Sequence, residues 1–152
     1  MIIKVDFEKY MRITIEEAKK SLQEGNKGYG ALVVYGNKII GQAHDTAVTN
    51  KDSSLHAELN VLRQAALNLG DSDLSGCVLF STCEPCPMCA SLAVWSNVSA
   101  IVYGASIEET AELGKTRIMI TCKEVVEKSP IYIEVFEGIL KDDCLDLYKD
   151  KV

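Results

Sequence analysis

Two short stretches carry the side chains best suited to chemistry: Leu55-His56-Ala57-Glu58 and Cys83-Glu84-Pro85-Cys86-Pro87-Met88-Cys89. Together they offer an imidazole, a free carboxylate and a closely spaced pair of thiols. Zinc takes nitrogen and sulfur ligands in a tetrahedron, and a catalytic zinc keeps three protein ligands and leaves its fourth position to water or substrate. His56, Cys86 and Cys89 are the three candidate ligands, and Glu58 is the carboxylate left for proton transfer. Cys86 and Cys89, three residues apart, share one helix face and can grip one ion. His56 and Glu58, two apart, do not share a face, so both reach one site only if their helix points its first turn at the metal. Ser53 and Ser54 are suitable N-caps ahead of His56, and Pro85 and Pro87 suit the entry to a second helix. Two helix N-termini then converge, their positive ends favouring thiolates.

A closed structural site is the competing arrangement. Cys83, Cys86 and Cys89 with His56 would make three thiolates and an imidazole, a non-enzymatic zinc module. Three thiols at successive turns of one helix wrap a tetrahedron poorly, and such a site leaves Glu58 without a role. Cys83 also precedes Pro85, at what reads as a strand end.

The elements that must hold these stretches follow from periodicity. Phe7, Met11, Ile15, Ala18 and Leu22 recur at helical spacing between Asp6, a cap, and Gly25, a stop. Residues Tyr29 to Tyr35 and Lys38 to Ala43, joined by Gly36-Asn37, form a predicted β-hairpin that delivers His44 and Asp45 toward the metal stretch. Leu55 to Leu69, ended by Gly70, is the first metal helix, and Val78 to Ser81 is a buried strand leading into the second, Cys86 to Ser96. Ala100 to Tyr103 is a further apolar strand. Beyond it the pattern predicts helices over Ile107 to Leu113, Cys122 to Lys128 and Leu140 to Lys149, with strands over Ile118 to Ile120 and Tyr132 to Phe136. Strands alternating with helices indicate an α/β protein, a three-layer α/β/α sandwich.

Composition narrows the class. At 152 residues and 47% hydrophobic content, residues 1–152 are expected to form a single domain with a proper core. The sequence has no apolar run near the length of a membrane span and no signal-peptide pattern, so a cytoplasmic protein without a membrane partner is expected. The grouping of cysteines beside a histidine motif reads as metal binding in a reducing compartment, with Cys77, Cys122 and Cys144 as core residues. A net charge of −6 with only Arg12, Arg63 and Arg117 as arginines argues against a nucleic-acid partner.

His56-Ala57-Glu58 followed by Pro85-Cys86-Pro87-Met88-Cys89 resembles the motif pair of the zinc-dependent cytidine deaminase-like superfamily. Gly28-Tyr29-Gly30-Ala31-Leu32-Val33-Val34 is similar to its first hairpin strand. Trp95-Ser96-Asn97-Val98 through Val102-Tyr103-Gly104-Ala105 is similar to its helix-to-strand exit. The branches most similar are guanine and yeast-type cytosine deaminases and bacterial tRNA adenosine deaminases. The resemblance implies a central mixed sheet, one Zn2+ per chain, and a dimer formed through the helices beside the metal. It also implies hydrolytic removal of an exocyclic amino group from a guanine- or cytosine-like free base or nucleoside, with adenosine in tRNA as the alternative substrate. Such a reaction adds water to an amidine-like carbon and expels ammonia, which needs a proton shuttle; Glu58 is the expected one.

The resemblance also marks substrate contacts. Ala57 lies at one, and Asp45, eleven residues before His56, stands where the family carries an Asn. An amide donates and accepts whereas an ionised carboxylate only accepts, so Asp45 should prefer a ring presenting an N–H. Trp95, six residues after Cys89, matches the tryptophan of the guanine-type branch and is either a pocket wall or a core or interface residue. Tyr148 is either a lid residue or tail packing. His44, the other histidine, either touches substrate or serves structure.

Overall fold

The computed structural model describes residues 5–149. Helix α1 (Phe7–Gln23) is capped by Asp6, whose side chain accepts from the Lys9 N–H. Strands β1 (Gly30–Tyr35) and β2 (Lys38–His44) form the hairpin, with Tyr35 opposite Lys38 and Gly36 at φ 64° in the two-residue turn. Helix α2 (Ala57–Leu69) ends on Gly70 in the left-handed region. Then come β3 (Cys77–Cys83), α3 (Pro87–Ser96), β4 (Ala100–Ala105), α4 (Ile107–Glu112), α5 (Cys122–Glu127), β5 (Glu134–Phe136) and α6 (Lys141–Asp146).

The sheet runs β2-β1-β3-β4-β5 and is mixed: β1 is antiparallel to both β2 and β3, while β3, β4 and β5 are parallel. Both faces are covered, and side-chain alternation sorts each strand between them. Ala31, Val33, Leu79 and Ile101 pack under α2, α3 and α5. Leu32, Val34, Phe80 and Val102 pack under α1, α6 and the tail Tyr148. This is the expected three-layer sandwich. Two glycines let helices seat closely on the sheet: a Cβ on Gly30 would lie 2.6 Å from Ala18 N of α1, and one on Gly104 would lie 2.9 Å from Cys144 Cβ of α6.

Two expected features are corrected. Ile118 to Ile120 is not a strand but an irregular, exposed segment, because the place beside β4 is taken by β5. Neither Ser53 nor Ser54 caps α2: the Ser54 N–H and hydroxyl both turn back to Asp52 Oδ1, and the N-cap is His56. The capping rule placed the helix start slightly early because those serines satisfy a local turn instead.

The β2 end, the β3 and β4 C-termini and the start of β1 lie at one end of the sheet. Helices α2 and α3 begin at this end, so every chemistry-bearing stretch converges there.

Candidate metal centre and active-site cleft

His56 and Cys86 hold equivalent places, each the N-cap of its helix in extended backbone conformation and neither using its side chain to cap. Pro87 follows as the first residue of α3, where a missing N–H costs nothing. Cys89 comes three residues after Cys86 and is fully buried. The ligand atoms of His56, Cys86 and Cys89 all lie within 4.8 Å of one another. His56 Nδ1 is 3.6 Å from Cys86 Sγ and 3.8 Å from Cys89 Sγ. With Zn–N near 2.0–2.1 Å and Zn–S near 2.3 Å at tetrahedral angles, an N···S edge of about 3.6 Å is expected. The donor set and its spacing therefore fit zinc, with one tetrahedral position not supplied by these three residues.

Cys83 is not part of this group. Its buried thiol, pushed up to about 11 by burial, accepts from Arg117 Nη1 and lies 3.7 Å from Thr110 Oγ1. Among the described residues, the four-ligand closed site is thus not formed.

The metal group opens into a cleft of about 620 Å³ lined by Tyr29, Asp45, His56, Glu58, Cys86 and Arg117, among others. That volume suits a small molecule. Glu58, second residue of α2, is 5% exposed, and burial followed by the nearby Cys86 pushes its carboxyl up to about 7. The Cys86 thiol is pulled down to about 4, first by its hydrogen bond with Cys89 and, against burial, by His56.

Asp45 is 2% exposed and lines the same cleft. Its Oδ1 accepts from the Ala47 N–H at 2.9 Å, an Asx turn that starts the loop toward His56. Its backbone is held from several elements: its N–H donates to Tyr29 O, Ser21 Oγ donates to its carbonyl, and Asn60 Nδ2 of α2 donates to the adjoining His44 carbonyl. Ala57 is fully buried in the core beneath the cleft. His44 sits outside the cleft lining, its Nδ1 2.9 Å from Glu17 Oε1 and its Nε2 2.8 Å from Glu24 Oε1, a structural bridge. Trp95 lies on the outer face of α3, 80% exposed and away from its own chain's cleft. Tyr148 is 1% exposed, shares a hydrogen bond of 2.7 Å with Thr82 Oγ1, and stacks on Tyr29 with ring centroids 5.0 Å apart. It backs a cleft wall and does not cover the opening.

Two residues that line the cleft are given no role by the sequence motifs above. Glu84 is buried, with Oε1 accepting from the Ile107 N–H at 2.8 Å and Oε2 from the Cys122 N–H at 2.7 Å, so one carboxylate caps both α4 and α5. Arg117 reaches from the loop between those helices into the cleft, donating to Thr110 Oγ1 at 2.7 Å and to the Glu84 carbonyl at 3.0 Å. The only sequence signals were the place of Glu84 inside the cysteine motif and the scarcity of arginine in an acidic chain.

The sheet and its flanking helices have the cytidine deaminase-like fold, and the three-ligand group suits a zinc ion. The chain belongs to the family of the cytidine and deoxycytidylate deaminase zinc-binding region, whose model matches residues 4–105. It is a hydrolytic deaminase and zinc is its cofactor. It is 37% identical over 137 residues to a tRNA-specific adenosine deaminase of Bacillus subtilis, covering 90% of this chain and 83% of that one. It is 32% identical over 111 residues to a guanine deaminase of the same organism, covering 72% and 71%. A solved guanine deaminase from Nitrosomonas europaea superposes with a TM-score of 0.79 at 21% identity, covering 97% of this chain and 85% of that one, which speaks to the fold alone.

Proposed function

We propose that residues 1–152 act as one deaminase domain on a free nucleobase or nucleoside, guanine- or cytosine-like, that presents a ring N–H to Asp45. The supporting observation is a buried carboxylate that lines the same cleft as Glu58 and His56. Ionised, it accepts but cannot donate, so a ring offering only acceptor nitrogens meets repulsion there. Zinc, when bound, makes water nucleophilic near neutral pH. Glu58 takes a proton from the attacking water and passes it to the ring nitrogen of the amidine, then takes the proton of the new hydroxyl group and delivers it to the leaving amine as the carbonyl forms. Water is consumed, the C–N bond breaks, and a carbonyl and ammonia result. Burial raises the Glu58 carboxyl above its ordinary range, which suits a group that both accepts and releases protons. The test is ammonia release from guanine, cytosine, adenine and their nucleosides by zinc-loaded native protein and Asp45→Asn. The expected result is turnover of guanine or cytosine but not adenine, with the preference relaxed in the variant. Identical preference in the two proteins would remove Asp45 as the reader of the ring.

A second reading, deamination of an adenosine in tRNA, is favoured by the identity to the tRNA-specific relative and by cations among the cleft residues, Lys27, Lys115 and Arg117. Inosine formation in a tRNA transcript, with no free base consumed, would establish it in place of the first.

The homodimer expected from the resemblance finds support on α3, where Met88, Leu92 and Trp95 recur at helical spacing on an outward apolar stripe. Light scattering of native protein against Trp95→Lys tests it: a dimer turned to monomer is expected, and a native monomer would end the reading. No helix among the described residues is long and apolar enough to cross a membrane.

A further inference from the structure

Arg117 is a cation anchored in an unusual way. A guanidinium has five N–H donors in a fixed plane. Both hydrogens of Nη1 are engaged, by Cys83 Sγ and Thr110 Oγ1, and one of Nη2 goes to the Glu84 carbonyl. Among the described residues Nε–H and the second Nη2 hydrogen remain, and Arg117 lines the cleft that also holds Asp45 and Glu58. Cys83 and Glu84 belong to the same backbone stretch as the metal ligand Cys86, so the guanidinium plane is registered to the metal centre. The two charges are held by different elements, Asp45 at the end of β2 beside the start of β1 and Arg117 against the end of β3 and α4.

We propose that Arg117 is a specificity-determining residue that donates to a ring carbonyl oxygen while Asp45 accepts a ring N–H, so that the cleft selects amino-oxo heterocycles. This rests on the small-base reading above and sharpens it. A lactam presents an N–H beside a C=O, the complement of a carboxylate and a guanidinium. A ring with the same amidine carbon but no lactam lacks this N–H beside a C=O, and leaves the second oxygen of Asp45 and the remaining N–H groups of Arg117 without that pair of partners. Hydrogen bonds to charged groups contribute enough for about a 10- to 100-fold preference, and a site built around them rejects an analogue that lacks the partner.

The experiment uses pairs of rings that share the reacting amino group and differ in the lactam: guanine against 2-aminopurine, and isocytosine against 2-aminopyrimidine. Values of kcat/KM are measured for native protein, Arg117→Met and Arg117→Lys, all zinc-loaded. Affinities are measured by calorimetry in Glu58→Ala, which does not consume the ring. The expected result is that Arg117→Met lowers the guanine to 2-aminopurine ratio by about 10- to 100-fold, Arg117→Lys recovers part of it, and Glu58→Ala binds guanine more tightly than 2-aminopurine by a similar factor. If Arg117→Met slows both rings alike, Arg117 is only a clamp for the loop and the proposal is overturned. If that variant does not fold, equal affinity of Glu58→Ala for the two rings overturns it instead. Turnover of tRNA adenosine with none of these rings consumed would overturn the small-base reading and this proposal together, whereas turnover of guanine with an unchanged ratio would overturn this proposal alone.

Discussion

His56 and Cys86 occupy the same position at the heads of two different helices, and Nδ1 of one lies 3.6 Å from Sγ of the other. Each residue is the last extended one before its helix begins, so the ligand side chains leave the backbone where the helix N–H groups point. The partial positive charge there favours thiolates and the carboxylate of Glu58 in the first turn of α2.

Metal content follows from this arrangement. Native protein is expected to hold one zinc per chain. Cys86→Ser and Cys89→Ser each remove a protein ligand and should weaken zinc by more than the about 10- to 100-fold that changes behind the ligands cost. Cys83→Ser, three residues upstream, should leave the stoichiometry at one. Elemental analysis after dialysis against a mild chelator distinguishes these variants, and loss of zinc from Cys83→Ser would place a fourth thiolate on the ion.

Replacing Glu58 separates metal binding from turnover. In Glu58→Ala the expected result is full zinc content with the rate reduced by about 10²- to 10⁴-fold, the usual contribution of a positioned acid-base group. Steady-state ammonia release is the measure, and a rate within a few-fold of native would assign the proton transfers to another group.

Glu84→Gln tests the double cap. A carboxylate accepts from both Ile107 and Cys122 N–H groups; an amide has one acceptor oxygen and would turn a donor toward the other N–H. Leaving that buried donor unpaired should cost about 1–3 kcal/mol. Urea unfolding gives the cost, and faster amide exchange at the starts of α4 and α5 would locate it. Unchanged exchange at both helix starts would show that Glu84 does not hold them.

His44 supplies a pH dependence of stability. Burial disfavours its charge, yet hydrogen bonds to Glu17 and Glu24 raise its pKa above the ordinary imidazole value. Its contribution is therefore fully present below about 6.5, the unfolded value, and is lost as pH rises through the raised folded value. For Glu17, burial acts upward but hydrogen bonds from His44, Lys20 and Gln42 lower its pKa overall. Its contribution is lost instead as pH falls through that lowered value. The gap in urea midpoint between native protein and His44→Gln should be wide near about pH 6 and narrow toward about pH 9. A gap that does not change with pH would mean the ring is neutral in its bridge.

Much of the fold was legible because its signals are local. Short apolar runs marked β1, β3 and β4, and the 3.6-residue spacing from Phe7 to Leu22 marked α1. The spacing of His56, Glu58, Cys86 and Cys89 already contained the metal chemistry, since ligand type and helix geometry restrict which ion three such groups can hold. The Ser106 and Thr121 capping boxes also lie in the sequence as Ser or Thr followed three residues later by Glu. What the chain alone left open were choices between environments. Trp95 could wall the pocket or lie in the core or an interface, Tyr148 could be a lid or tail packing, and His44 could touch substrate or serve structure. Each choice depends on which element lies opposite, and that is decided by long-range packing: α6 against Gly104, β5 taking the edge that Ile118 to Ile120 could have filled, and α1 bringing Glu17 and Glu24 to His44. Glu84 and Arg117 were hidden for the same reason. Their partners lie 23 to 38 residues away for the Glu84 carboxylate and 34 residues away for the Arg117–Cys83 contact, separations that no local pattern records and that only the closed sandwich brings within hydrogen-bond reach.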